Sequence, residues 1–254
     1  MITINNTEVL GWEAAIRGMR NPMNSWAKCD SIFSRCDNVD CDVCPMNEGT
    51  SCSPTLYMGK IGPNDHQLMM SLAKGGPVHA KYRRMIAVYL DINAPLYWWK
   101  EFDTYKVGTV ANSCSTMHKI HAKEFTLDDF SHEHLENFDD IPYDSAAQFE
   151  PEFLQTMQCI INMLNTARTL YLEAKTKPMK DESKRAGLVK KYWWQMIQLL
   201  PTSYNQKRTI MLSYEVLHNI YHSRRHHKLD EWRVFCNWIE ELPYSEIIIG
   251  EQEA

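Results

Sequence analysis

The side chains best suited to chemistry gather on one helical stripe. In RTIMLSYEVLHNIYHSRRHH, Glu215, Asn219 and His222 recur at helical spacing, and Arg224-Arg225-His226-His227 follow. An arginine fork suits a phosphate or the planar edge of a pyrimidine, and an asparagine offers both donor and acceptor. The same residues also describe a solvated helix face with basic charges at the end where the dipole favours them. Five of the eight cysteines form a second group: Cys29, Cys36, Cys41, Cys44 and Cys52 crowd into CDSIFSRCDNVDCDVCPMNEGTSC. Cys41 and Cys44 make a C-x-x-C pair with Cys36 and Cys52 on either side. Four thiolates can close a tetrahedral zinc site or hold an iron–sulfur cluster, and free thiols or a redox pair use the same residues. His79 stands just before a short apolar run. His118 and His121 are three apart, as are some metal-binding pairs, but with no third ligand in view they read as structural, as do His132 and His134.

The elements that must position these groups are mostly helices. NTEVLGWEAAIRGMR reads as a first helix capped by Asn6 or Thr7. GPNDHQLMMSLAKGG reads as a second, capped by Asn64 or Asp65, with Leu68, Met69 and Leu72 on its apolar face. RRMIAVYLDI is short, apolar and β-branched, which favours a buried strand. Asn93-Ala94-Pro95 then starts a helix through LYWWKEFDTYK to Gly108, and a polar loop follows. From Ala146 to Lys175, the residues Phe153, Met157, Ile160, Ile161, Leu164, Ala167 and Tyr171 recur at helical spacing. GLVKKYWWQMIQLLP is a further helix. The 209–227 segment is read as helical throughout, and LDEWRVFCNWIEELP closes the set with Trp232, Phe235, Ile239 and Leu242 on one face. Helices with a few strands make the class α+β. We expect one domain over 1–254, with a cysteine-rich insert at about 29–55.

The composition excludes several classes. Hydrophobic residues are 44% and charged residues 23%, as in an ordinary globular chain. A net charge of −5 argues against general nucleic-acid binding but allows a local basic pocket. No apolar run approaches the ~20 residues of a membrane span. MITINNTEVLGWEAAIRG lacks the basic start and apolar core of a secretory signal. The expectation is a cytoplasmic protein, where clustered cysteines suggest metal rather than disulfides.

In the order of its motifs the chain resembles the flavin-dependent thymidylate synthases from about Pro77 to Pro243. That family has a His before a strand, then a turn and a helix leading into Arg-His-Arg-x-x-Ser-x-Asn-Glu-x-Ser-x-Arg. Later come Leu-Pro, a helix with functional Asn residues and an Arg. Here the counterparts are His79, AVYLDINAPLYWW, KEFDTYKVGTVANSCSTMHK, Leu200-Pro201 and the 209–227 segment. The resemblance implies a central, mostly antiparallel sheet with several long helices. It implies flavin contacts from His79, Lys106, Asn112 and Asn219, and nucleotide contacts from Glu101, Ser113, Ser115 and Arg224. Arg224 matches the residue that grips and activates the base.

The departures are as informative. Thr104-Tyr105-Lys106 replaces Arg-His-Arg, so only Lys106 keeps its charge. Ser113 stands for a Glu, Met117 for the final Arg, and Glu101 for a Gln that contacts nucleotide. A carboxylate there accepts only, and so would favour a base with an amino group, as in cytosine. The resemblance implies reductive methylation of a pyrimidine deoxynucleotide monophosphate such as dUMP. FAD would be the cofactor, NADPH and methylene-tetrahydrofolate the co-substrates, and a homotetramer the assembly. Such cofactors carry the hard chemistry, so a member can lose motif residues and still bind ligands. Two other readings stay open: a non-catalytic nucleotide- or partner-binding protein, and an interaction module stapled by zinc or iron–sulfur at Cys36, Cys41, Cys44 and Cys52.

Overall fold

The computed structural model describes residues 1–33, 60–136 and 152–250. The proposed metal ligands Cys36, Cys41, Cys44 and Cys52 lie outside the described residues. The elements are β1 (Thr3–Leu10), α1 (Trp12–Arg20), α2 (Pro63–Lys74), a 3-10 turn (Ala80–Met85), β2 (Ala87–Pro95), α3 (Leu96–Phe102) and β3 (Thr109–Ser113). They continue with α4 (Phe153–Thr176), α5 (Glu182–Leu199), β4 (Asn205–Ser213), α6 (Tyr214–Arg224), α7 (Asp230–Glu240) and α8 (Glu246–Ile249). The strands form one antiparallel sheet in the order β1-β2-β4-β3, so the expected α+β class is what is found. Among the described residues no helix is long and apolar enough to cross a membrane.

The chain divides into two compact units. The first comprises Met1–Ile4, Asp91–Thr104 and Asn112–Thr209. Its core is the α4–α5 hairpin. Met157, Ile161, Leu164, Ala167, Tyr171 and Ala174 are buried at steps of three and four residues along α4, while Phe153 is exposed. Asp181 caps α5 by accepting from the Lys184 amide at 3.0 Å, which starts that helix earlier than Gly187 suggests. In α3, Trp98, Trp99 and Phe102 are buried. Two of the orphan amides at its start are satisfied by backbone: Leu96 N–H donates to the Tyr204 carbonyl and Tyr97 N–H to that of Thr202, both at 3.0 Å. The helix therefore needs no polar cap and stops at Phe102, well before Gly108.

The second unit comprises Asn5–Leu90, Tyr105–Ala111 and Ile210–Ala254. The expected first helix is a strand and a helix joined by Gly11. That glycine has φ of +98°, and a Cβ there would lie 2.2 Å from the Met85 carbonyl oxygen. Gly11→Ala is expected to cost roughly 2 kcal/mol or more in urea unfolding, from left-handed strain plus a backbone clash; an unchanged midpoint would contradict this. Trp12 meets Tyr214 edge-on at 5.2 Å and Tyr244 at 5.3 Å. Trp232, Phe235 and Ile239 of α7 and Leu242 just beyond it are all buried, as their spacing predicts.

One expected cap turns out to be a buried anchor. Gly62, not Asn64 or Asp65, stands at the head of α2. Asp65 is fully buried and accepts from Arg20 Nε at 2.6 Å, Ser31 Oγ at 2.6 Å, the Ser31 and Asp30 amides at 3.0 and 3.1 Å, and Cys29 Sγ at 3.2 Å. Burial alone would raise its pKa, but hydrogen bonds from Ser31, Arg20, Cys29 and the Asp30 amide outweigh it and hold the pKa at about 2.

Candidate functional site

The 209–227 segment is not one helix. Along β4, Gln206, Ile210 and Leu212 are buried while Lys207 and Thr209 face out, a two-residue period. The helix begins only after Ser213, whose hydroxyl accepts from the Val216 amide at 3.4 Å. The spacing of Ile210, Tyr214, Leu217 and Tyr221 imitates a helix across this junction. The polar stripe changes accordingly. Glu215 is buried, Asn219 and His222 are exposed, and the helix ends at Arg224, so His226 lies beyond it.

Glu215 faces two arginines of the Ala80–Met85 turn. Arg83 Nη1 is 3.8 Å from Oε2, and Arg84 Nη2 is 3.9 Å from Oε1. Both separations are ion pairs without hydrogen-bond geometry. Arg83 Nε and Glu215 Oε2 are buried with no hydrogen-bond partner among the described residues. The pair fixes α6 against the turn that His79 heads. His218, one turn along α6, has its pKa lowered by burial, against the pull of its hydrogen bond to the Ile248 carbonyl. Its ring lies 4.3 Å from that of His222.

Tyr105 and Gly108 also lie along α6. A Cβ on Gly108 would come 3.2 Å from Val216 Cγ2. Arg224 Nε donates to the Tyr105 hydroxyl at 2.9 Å. The guanidinium stands 4.9 Å from the Trp232 ring centroid and 5.7 Å from that of Tyr105, and these two rings meet edge-on at 6.1 Å. Arg224 is thus held in one orientation by an aromatic wall and a hydroxyl. Sequence reasoning missed both partners: Tyr105 counted only as a lost histidine, and Trp232 as packing.

The second unit carries the Arg224 box, Asn219 on the same helix, Lys106 next to Tyr105 in the chain, and His79 at the head of the turn. The side chains of His79, Lys106 and Asn219 are exposed, and among the described residues none makes a hydrogen bond or ion pair.

In the first unit, Glu101 is half-buried near the end of α3. The expected polar loop from Gly108 to Ser115 contains β3, with Asn112 and Ser113 exposed. Ser115 is engaged in local structure: its hydroxyl accepts from the His118 amide at 3.0 Å. Met117, at the family's last arginine position, lends its carbonyl to Trp193 Nε1 at 3.0 Å. His121 packs on Tyr171, and His132 Nδ1 lies 2.9 Å from the Phe130 carbonyl. Among the described residues no three His, Cys, Asp or Glu side chains could hold a metal ion.

No family model matches the sequence, and no curated protein does. Solved structures do match. Thymidylate synthase X (ThyX) from Helicobacter pylori, crystallised with FAD and dUMP, is 13% identical with a TM-score of 0.57, over 99% of this chain and 97% of that one. A second structure, flavin-dependent thymidylate synthase ThyX of the same organism complexed with FAD and dUMP, gives 13%, 0.53, 98% and 97%. The chain has the ThyX fold. At this identity the likeness is one of architecture. It accounts for a resemblance resting on the order of motifs rather than on conserved charges, because ThyX and this chain share nearly their whole lengths.

Proposed function

We propose that the chain is a flavin-dependent, thymidylate synthase-like enzyme that reductively methylates a pyrimidine deoxynucleotide monophosphate. The observation that carries this reading is Arg224, oriented by Tyr105 and Trp232 in a chain of ThyX fold. A guanidinium is the side chain best suited to the edge of a base carbonyl or to a phosphate, and its contacts with Tyr105 and Trp232 limit the ordering left to do. The solved ThyX structures hold FAD and dUMP, which supports the same two ligands here.

The donor set fits a flavin dinucleotide. His79, Lys106 and Asn219 offer an imidazole, an ammonium and an amide on one unit, exposed and engaged with no other side chain. They would hold FAD, together with Asn112 as the family resemblance implies. Bound FAD, reduced by NADPH, would supply hydride to a one-carbon unit brought by methylene-tetrahydrofolate. The protein's part is to bind and orient. Arg224 holds and polarises the base, and Lys106 keeps the one positive charge of the family's Arg-His-Arg run. Ser113 and Ser115 belong to the proposed nucleotide contacts, Ser115 through whatever hydroxyl capacity its turn leaves. Glu101 would bias the base toward an amino group, and a homotetramer is the expected assembly.

The test is retention of colour. Chain equilibrated with excess FAD and passed through gel filtration should remain yellow and release FAD on denaturation. Its melting temperature should rise further with dUMP or dCMP than with the purine monophosphate dAMP. Colourless protein with no thermal shift from FAD would remove the flavin reading and leave a nucleotide-binding protein.

A further inference from the structure

We propose that the cleft between α4 and α5 is a second ligand site, which takes a nucleoside monophosphate. It lies toward the closed end of the hairpin, and its volume of about 390 Å³ suits one small organic ligand. Its walls combine two chemistries. Tyr171, Val189 and Trp193 supply flat and apolar surface, while Lys175, Arg185 and Lys190 supply positive charge. The one carboxylate in the lining, Glu182, is taken by Arg185 at 2.6 Å. Among the described residues neither Lys175 nor Lys190 is paired with a carboxylate. In a chain of net charge −5 this is a local reversal of sign.

Ring and charge meet at one place. Lys175 Nζ stands 5.7 Å from the centroid of the Tyr171 ring. A base stacked on the aromatic wall would set its phosphate against the free ammonium groups, the pairing by which nucleotides are held without base readout. A second observation reports the positive field. The His121 ring packs on Tyr171 at 4.7 Å, and its Nδ1 is buried with no hydrogen-bond partner among the described residues. Its pKa is pushed down first by burial and then by the charges of Lys175, Lys119 and Arg168. A bound phosphate would offset that repulsion. Free phosphate would use only the cations and a nucleoside only the rings, so the cleft fits the two joined.

The site stands independently of the flavin reading. Its test is calorimetric titration with AMP at low salt, on the full chain and on its Arg224→Ala form, in which the proposed pyrimidine contact is removed. AMP should bind one to one, with adenosine and orthophosphate each at least tenfold weaker. Lys175→Glu/Lys190→Glu should weaken AMP at least tenfold. Both lysines are exposed, and Lys175→Gln/Lys190→Gln serves if charge reversal disturbs folding. AMP binding that is absent, undiminished in these variants, or equalled by orthophosphate overturns the proposal.

Discussion

Arg224→Ala is expected to weaken binding of the pyrimidine monophosphate by roughly ten- to a hundredfold, the worth of a charge-assisted, forked contact. FAD retention should be little affected. Arg224 is only half-buried, and its loss takes a donor from the Tyr105 hydroxyl. Stability should then fall by about 1 kcal/mol. Arg224→Lys should recover little. An ammonium cannot reproduce the fork, nor lie flat against Trp232 4.9 Å away while reaching both Tyr105 and a ligand. Equilibrium binding of dUMP and dCMP to the three proteins, with unfolding curves alongside, separates lost recognition from lost structure. Unchanged nucleotide affinity in Arg224→Ala would remove Arg224 from the site.

The largest effect on stability is expected at Asp65. Asp65→Ala leaves Arg20 buried beside an empty acceptor and takes the common partner from Ser31, Cys29 and the Asp30 amide. Breaking a buried pair in this way costs roughly 3–5 kcal/mol. The same group sets an acid limit. Its pKa is about 2 in the folded chain against 3.8 for an ordinary aspartate. A depressed carboxylate stabilises the fold above its unfolded pKa and loses that contribution as pH falls through the folded one. The loss therefore begins near pH 4 and is complete a little below pH 2, and it amounts to about 2 kcal/mol. Urea unfolding of wild type and Asp65→Asn between pH 5 and 2 measures it. The difference between the two proteins should shrink with acid, and a constant difference would show that Asp65 is not held charged.

How far the sequence foretold this molecule can be judged residue by residue. The α4 stripe was legible because Met157, Ile161, Leu164, Ala167 and Tyr171 repeat over many turns, and so was the α7 face. The strand–helix junctions were not. Gly11 and Ser213 each end a strand and begin a helix within a residue or two, and the apolar spacing of Ile210, Tyr214, Leu217 and Tyr221 ran across the second join. The head of α3 gave the wrong start because its amides are satisfied by the Thr202 and Tyr204 carbonyls, a tertiary contact that no local motif announces. Arg224 and Asn219 were both read onto a helix, and both lie on α6. The partners of Arg224 were hidden because Tyr105 and Trp232 lie 119 residues and 8 residues away along the chain, as the arginine contacts to each require. Glu215 was placed on a solvated stripe; its burial depends on Arg83 and Arg84 meeting it, and no helical period reveals that.

The most direct test of the central claim is product formation. The FAD-reconstituted chain, incubated without oxygen with NADPH, methylene-tetrahydrofolate and either dUMP or dCMP, should yield the 5-methylated deoxynucleotide, with dCMP favoured if Glu101 faces the base. Arg224→Ala should yield almost none. A chain that binds FAD and nucleotide yet methylates neither base would contradict the enzymatic reading and leave a binding protein built on the ThyX fold.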